Sequence, residues 1–289
     1  MAELVIRRLL IDLKAPIDRH WCGGDPFRTA MLNALSMSFP VGENFFINSV
    51  KAGAALLPES ERAHWAGEIQ GFIGQEATHR RIHGLFNEQL AAQGLVDSWT
   101  PRAAARMKMI EPLHPTHALA ATAATEHFTA IMAGYLFHHH QELGEMEPRL
   151  KSMWMWHASE ESEHRSTAFD LYCAVGGTYE RRVWWMKRIT YVMVTETLRQ
   201  TLSNLKRDGT LWQWRTWKNG ASFLFGKKGM VPLLYRPWKD YFKPDFHPSQ
   251  HDGSPGLQWL AANSGEFSIV GAGAEPAAVS EAQARQVAA

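Results

Sequence analysis

Apolar residues recur every three to four positions through most of the chain, the period of helices that turn one face to a core. Asp25 before Pro26 marks a helix start, and a helix runs through FRTAMLNALSMSF to Pro40, which ends or kinks it. A segment from about Val41 to Leu57 then sets Glu43 among Phe39, Phe46, Ile47 and Val50. Pro58-Glu59-Ser60 opens a long helix that Gly94 closes, and a short helix spans about Pro101 to Ile110. Pro112 and Pro115 force a loop before the helix that begins near Thr116, in which small residues surround Glu126. A fourth long helix is predicted from Arg149 to Val175, and an amphipathic one from about Tyr179 to Lys206.

The pattern predicts an all-α fold in one domain over residues 1–262, a four-helix bundle with additional C-terminal helices. Residues 1–25 read as irregular or strand-like. The prolines of MVPLLYRPWKDYFKPDFHP predict an extended strap, and residues 263–289, rich in Ala, Gly, Ser, Val and Pro, a disordered tail. A net charge of +1 argues against a nucleic-acid partner. Two cysteines are too few for a disulfide framework and fit a reducing compartment. With no secretory signal pattern and no apolar run of membrane-spanning length, the expected location is cytoplasmic.

Composition sharpens one point, because 14 histidines make accidental motifs common. Four Glu-x-x-His pairs occur. Glu61/His64 falls in the first turns of its helix, where acidic residues favour the dipole, and Glu111/His114 is broken by Pro112. Glu76/His79 and Glu161/His164 instead lie mid-helix on apolar faces. Each follows a helix with one carboxylate in its core stripe, Glu43 in the first case and Glu126 in the second. Buried without partners, each ionised group would cost several kcal/mol, roughly. A bundle bringing these faces together offers four carboxylates and two imidazoles, the donor set of di-iron and di-manganese carboxylate proteins. The predicted ligands are Glu43, Glu76, His79, Glu126, Glu161 and His164, with the four glutamates also as catalytic groups. His83 and His157, each one turn from a motif, are candidates for a further ligand or a supporting partner. Glu160 and Glu163 flank the second motif, and Glu163 and Arg165 are expected on the outer face. Thr122, Thr125 and Thr129 are candidates for proton delivery near Glu126. The run His138-His139-His140 reads as a helix C-terminal cap.

FPVGENFF, GFIGQEATHRRIH, ATEHFTA, WHASEESEHRSTAFD and YRPWKDYFKPDFHP resemble the bacterial family described as predicted metal-dependent hydrolases, over nearly the whole chain to about residue 260. That resemblance implies a ferritin-like di-metal bundle and the same six ligands. Iron is the expected metal, with manganese or zinc also compatible with the donors. Carboxylate-rich ligation favours dioxygen activation to oxidise a small or lipid-like organic substrate, so the leading expectation is a di-iron oxidoreductase. The alternatives are a metal-dependent hydrolase using activated water, and a non-enzymatic iron-binding bundle. RRVWWMKR at Arg181–Arg188 suggests a core helix with basic flanks and a homodimer contact, or else a peripheral membrane contact.

Overall fold

A computed structural model of the chain describes residues 4–271. The fold is all-α apart from two short strands, β1 (Arg7–Leu9) and β2 (Phe267–Ile269), which pair antiparallel. Four long helices surround the centre: α1 (Pro26–Ala54), α2 (Glu59–Ala92), α4 (Pro115–His139) and α5 (Pro148–His164), with the short α3 (Trp99–Ile110) between the second and third. Helix α1 packs on α2 and α4, and α5 packs on α4 and α2, which closes the ring.

The helix starts are specified locally. Asp25 accepts the Arg28 N–H ahead of Pro26, and Glu147 accepts the Leu150 N–H ahead of Pro148. Helix α1 runs unbroken through Pro40, where a boundary or kink was expected. Pro40 has no N–H to offer the Ser36 carbonyl, and the Asn87 side-chain Nδ2 takes that role at 3.0 Å. The helix predicted as continuous from Arg149 to Val175 instead breaks after His164. The Arg165 guanidinium binds the Ser162 carbonyl, and the chain restarts as α6 (Thr167–Ala174) against α4.

Helix α7 (Tyr179–Asp208) covers α1 and α4 and ends at Gly209 with φ of 76°, a left-handed cap that glycine adopts without strain. Helices α8 (Trp214–Phe225), α9 (Met230–Asp240) and α10 (Ser254–Ala262) complete the cladding. Helix α9 replaces the first part of the predicted strap. Pro232 falls in its first turn, where N–H groups have no intrahelical acceptor, and Pro237 comes only one turn before the end. Strand β2 lies in the stretch predicted to be a tail, while residues 272–289 fall outside the described residues.

The apolar core is in two parts. One holds Phe39, Ile82, Phe86, Ala133 and Met153, and the other Phe46, Phe72, Ala123, Leu119 and Phe169. Along α1, α2 and α4 the same helices cross from one part to the other, and the residues at the crossing are acidic or imidazole side chains. A buried polar layer therefore divides the core.

Candidate metal centre

Glu43 from α1, Glu76 and His79 from α2, Glu126 from α4, and Glu161 and His164 from α5 converge in that layer, all buried. His164 Nε2 stands 3.3 Å from Glu76, 3.2 Å from Glu126 and 3.4 Å from Glu161. His79 Nδ1 is 3.5 Å from Glu161 Oε1. Each of the six carries at least one buried side-chain nitrogen or oxygen with no hydrogen-bond partner, including both oxygens of Glu43, Glu76 and Glu126. Buried polar groups are almost always paired, so this concentration of orphans marks a place built for a cation.

The outer hydrogen bonds of the histidines fix which nitrogen faces inward. The Gln75 amide nitrogen donates to the Val5 carbonyl and to Glu163, so its oxygen must accept, at 2.9 Å, the proton on His164 Nδ1. His79 Nε2 donates to Glu160 at 2.9 Å. In the neutral imidazoles His164 Nε2 and His79 Nδ1 are then lone pairs aimed at carboxylates. Such a contact repels unless a positive charge sits between them.

His157 behaves the same way, through a longer relay. Asn87 Nδ2 is committed to the Ser36 carbonyl, so Asn87 Oδ1 accepts the Ser36 hydroxyl proton at 2.8 Å. Ser36 Oγ must accept from His83 Nδ1 at 2.8 Å, and His83 Nε2 from His157 Nδ1 at 2.7 Å. His157 Nε2 is left as a lone pair, 2.9 Å from Glu161 Oε1 and 3.9 Å from Glu43 Oε1. Glu43, His79 and His157 can converge on one point, as can Glu76, His79 and Glu161, and Glu76, Glu126 and His164. His83 has both nitrogens occupied outside the cluster, so it supports His157 and does not face the cluster itself.

Protons compensate when no cation is present. Burial pushes Glu43 and Glu76 well above the usual carboxylate range and Glu126 up to about 7. Burial acts on Glu161 in the same sense, but the imidazoles of His164, His157 and His79 hold it well below. Burial works against the charged form of His79, yet Glu160 and Glu161 lift it to about 9, and Glu161 and Glu126 lift His164 well above the ordinary range. His157, pushed down to about 4 by burial and by His79, is neutral near pH 7.

Glu160 and Glu163 are inner partners, contrary to the outer face expected for Glu163. Arg7 on β1 bonds Glu160 at 3.2 Å and Glu163 at 2.7 Å, tying together the carboxylates that orient His79 and His164. The α5 register hid this role, since Glu160 and Glu161 are adjacent and both buried. The three threonine hydroxyls are engaged elsewhere, Thr122 with Ser49, Thr125 with the Ala121 carbonyl and Thr129 with the Glu126 carbonyl. Glu61, His64, Glu111 and His114 are exposed and apart from the cluster.

A narrow apolar cavity of about 70 Å³ reaches the cluster at Glu161 and His157, with Phe39, Thr129 and Trp154 in its wall. Phe39 packs edge-on against both His83 and His157, at 4.6 and 4.7 Å. No helix among the described residues is long and apolar enough to cross a membrane. Arg182 and Trp185 of RRVWWMKR are buried, Arg182 among Phe169, Tyr241 and Phe246. The chain matches no curated protein and no solved structure. Over residues 5–252 it matches the family described as predicted metal-dependent hydrolase, and it belongs to that family.

Proposed function

We propose that the chain is a metal-dependent enzyme whose ions, two in number, are held by Glu43, Glu76, His79, Glu126, Glu161 and His164, with His157 as a seventh ligand. The convergence of unpartnered buried atoms on the first six carries the reading, and the inward-facing Nε2 of His157 adds the seventh. Hydrolysis is the reaction that the family description supports. Ions in such a site supply polarisation of a carbonyl or phosphoryl oxygen and a water made acidic near neutral pH.

The protein's part is positional. Glu160 and the Gln75–Glu163 pair hold His79 and His164 with their lone pairs inward. The Asn87–Ser36–His83 relay does so for His157. Phe39 and Trp154 keep bulk water from the face of the cluster that the cavity reaches, which leaves Glu161 as the carboxylate beside an incoming substrate.

A second reading, oxidation of an apolar substrate with dioxygen by a di-iron form, is favoured by the donor set. Four carboxylates with nitrogen donors and no thiolate suit iron, and they stabilise its oxidised state. Two assays separate the readings. Anaerobic turnover of an ester, amide or phosphoester panel supports hydrolysis. Oxygen uptake by the ferrous protein above a Glu161→Ala control, with no anaerobic turnover, supports oxidation. Fewer than one metal per chain after anaerobic purification and reloading would sink both.

A further inference from the structure

Next to the narrow cavity lies a wider one of about 300 Å³, between α1, α3, α4 and α7. The two share Phe39 and Thr129 as a common wall. Phe39 is one turn before Glu43, and Thr129 one turn after Glu126. On α4 the combined lining runs from Ala121 to Leu136, about 22 Å of helix. The walls are apolar nearly throughout, and Met109, Leu113 and Trp184 leave the outer end open to solvent with exposures of 61%, 45% and 55%.

Besides the hydroxyls of Ser38, Thr125 and Thr129, the polar part of the outer lining is cationic. Arg106 and Arg188 border the outer cavity, with no acidic side chain among its walls. Arg106 belongs to a cluster in which one buried carboxylate, Glu196, carries three guanidiniums, from Arg102 at 2.6 Å, Arg106 at 3.0 Å and Arg199 at 3.1 Å. Positive charge is therefore in excess there. The buried Nη2 of Arg106 has no hydrogen-bond partner, and Arg188 forms no ion pair among the described residues. Joined past Phe39 and Thr129, the two cavities would make one apolar passage with the unpartnered Arg106 donor and the exposed Arg188 at its outer end and the carboxylate–imidazole cluster at its inner end, the polarity of a specific ligand.

We propose that this passage binds a free single-chain anionic amphiphile, with its anionic group at Arg106 and Arg188 and its apolar chain running inward past Phe39 and Thr129. The end of the chain remote from the anion then lies against Glu161 and His157. The assignment of that inner end as the reacting position rests on the metal-centre reading; the binding mode does not. It deepens the function by placing the reactive bond of the substrate away from its charged group.

The test is titration of the full chain with laurate below its micellar concentration, in metal-free and iron(II)-loaded protein, followed by calorimetry. Dodecanol has the same chain without the charge, and butyrate the same charge without the chain. The expected result is saturable binding of one laurate per chain, dodecanol weaker by at least about fivefold, and no binding of butyrate, as one charge-assisted contact plus chain burial would give. Arg188→Gln, at an exposed position where folding is not at stake, lowers laurate affinity about fivefold and leaves dodecanol unchanged. Arg106→Gln does the same more strongly. Laurate brominated at its chain end quenches Trp154, and the quenching is lost in Trp154→Phe; bromination beside the carboxylate quenches the Trp184–Trp185 pair instead. Equal affinity for laurate and dodecanol, the reverse quenching pattern, binding only to phosphatidylglycerol vesicles, or self-association through this face that excludes laurate would each overturn the proposal. Metal uptake without laurate binding refutes the passage and leaves the metal centre standing. Laurate binding that follows the expected pattern without metal uptake supports the passage and refutes the metal centre.

Discussion

Replacing His83 tests the polarity of the relay behind His157. In His83→Leu the buried His157 Nδ1–H loses its acceptor at 2.7 Å, and Ser36 loses a donor at 2.8 Å while keeping its bond to Asn87. One unsatisfied buried donor costs about 1–3 kcal/mol, offset in part because leucine removes the desolvation of the His83 ring. The effect on the metal is separable from that loss. Without its anchor the His157 ring rotates or changes tautomer, and partners of this kind are typically worth roughly 10–100-fold in metal affinity, or about 1.4–2.7 kcal/mol. The assay is competition for iron(II) or manganese(II) against a chelator, read as two affinities and a stoichiometry, on protein checked for helix content. His83→Leu weakens one of two sites, and His83→Gln, whose amide oxygen can accept from His157 Nδ1, recovers most of the loss. His64→Ala on the exposed start of α2 changes neither. Unchanged affinities at both sites in His83→Leu would refute the tautomer argument and remove His157 from the ligand set.

Further outcomes follow from the same geometry. Pro40→Ala restores a donor for the Ser36 carbonyl, which gains up to about 3 kcal/mol of helix stability but loosens Asn87; thermal unfolding rises while metal affinity at the His157 site falls. Glu126 titrates near 7 when folded against an ordinary value of 4.5, so the folded metal-free protein binds more protons in that window. Its stability then falls as pH rises from about 4.5 to 7, by a few kcal/mol at most, whereas metal affinity rises over the same range; urea unfolding against pH with and without metal measures both. Saturating metal at about 100 times Kd stabilises the native chain by about 2.7 kcal/mol, several degrees in Tm, and Glu161→Ala abolishes the larger part of that shift in a thermal melt. Arg7→Met leaves the buried Glu160 and the part-buried Glu163 without their guanidinium, a loss of about 3–5 kcal/mol read by denaturant unfolding, with native stability expected if Arg7 is only a surface tether.

The bundle and the six converging residues were legible because order carries more information than a single motif. Glu followed by Glu-x-x-His, twice, on faces that continue apolar stripes, leaves few arrangements in which those carboxylates avoid each other. The boundary errors share one cause, reading a proline or a periodic run without its partners. Pro40 reads as a boundary until Asn87, far along the chain, supplies the missing donor. The α5–α6 break depends on Arg165 reaching the Ser162, Pro248 and His251 carbonyls, contacts that no local pattern reveals. Helix α9 forms in spite of two prolines because one lies in its first turn and the other near its end. His157 was visible as a residue one turn from Glu161, but its inward lone pair follows only from a chain of four side chains on three helices.

Charge balance explains why a few residues outside the cluster matter to it. Two divalent cations would neutralise Glu43, Glu76, Glu126 and Glu161, leaving a site that an apolar core can enclose at little electrostatic cost. Glu160 and Glu163 then add a second ring of negative charge behind His79 and His164, and Arg7 compensates only one of the two. Glu160 raises the basicity of His79 directly, whereas Glu163 acts on His164 only by orienting the Gln75 amide. The two carboxylates also tie the site to the chain's N-terminal strand, since Arg7 reaches them from β1, whose register against Phe267–Ile269 sets where its guanidinium falls. The two short strands thus help hold the side chains that orient His79 and His164, and a one-residue slip in that pairing would turn Arg7 to the opposite face and leave Glu160 and Glu163 without its guanidinium.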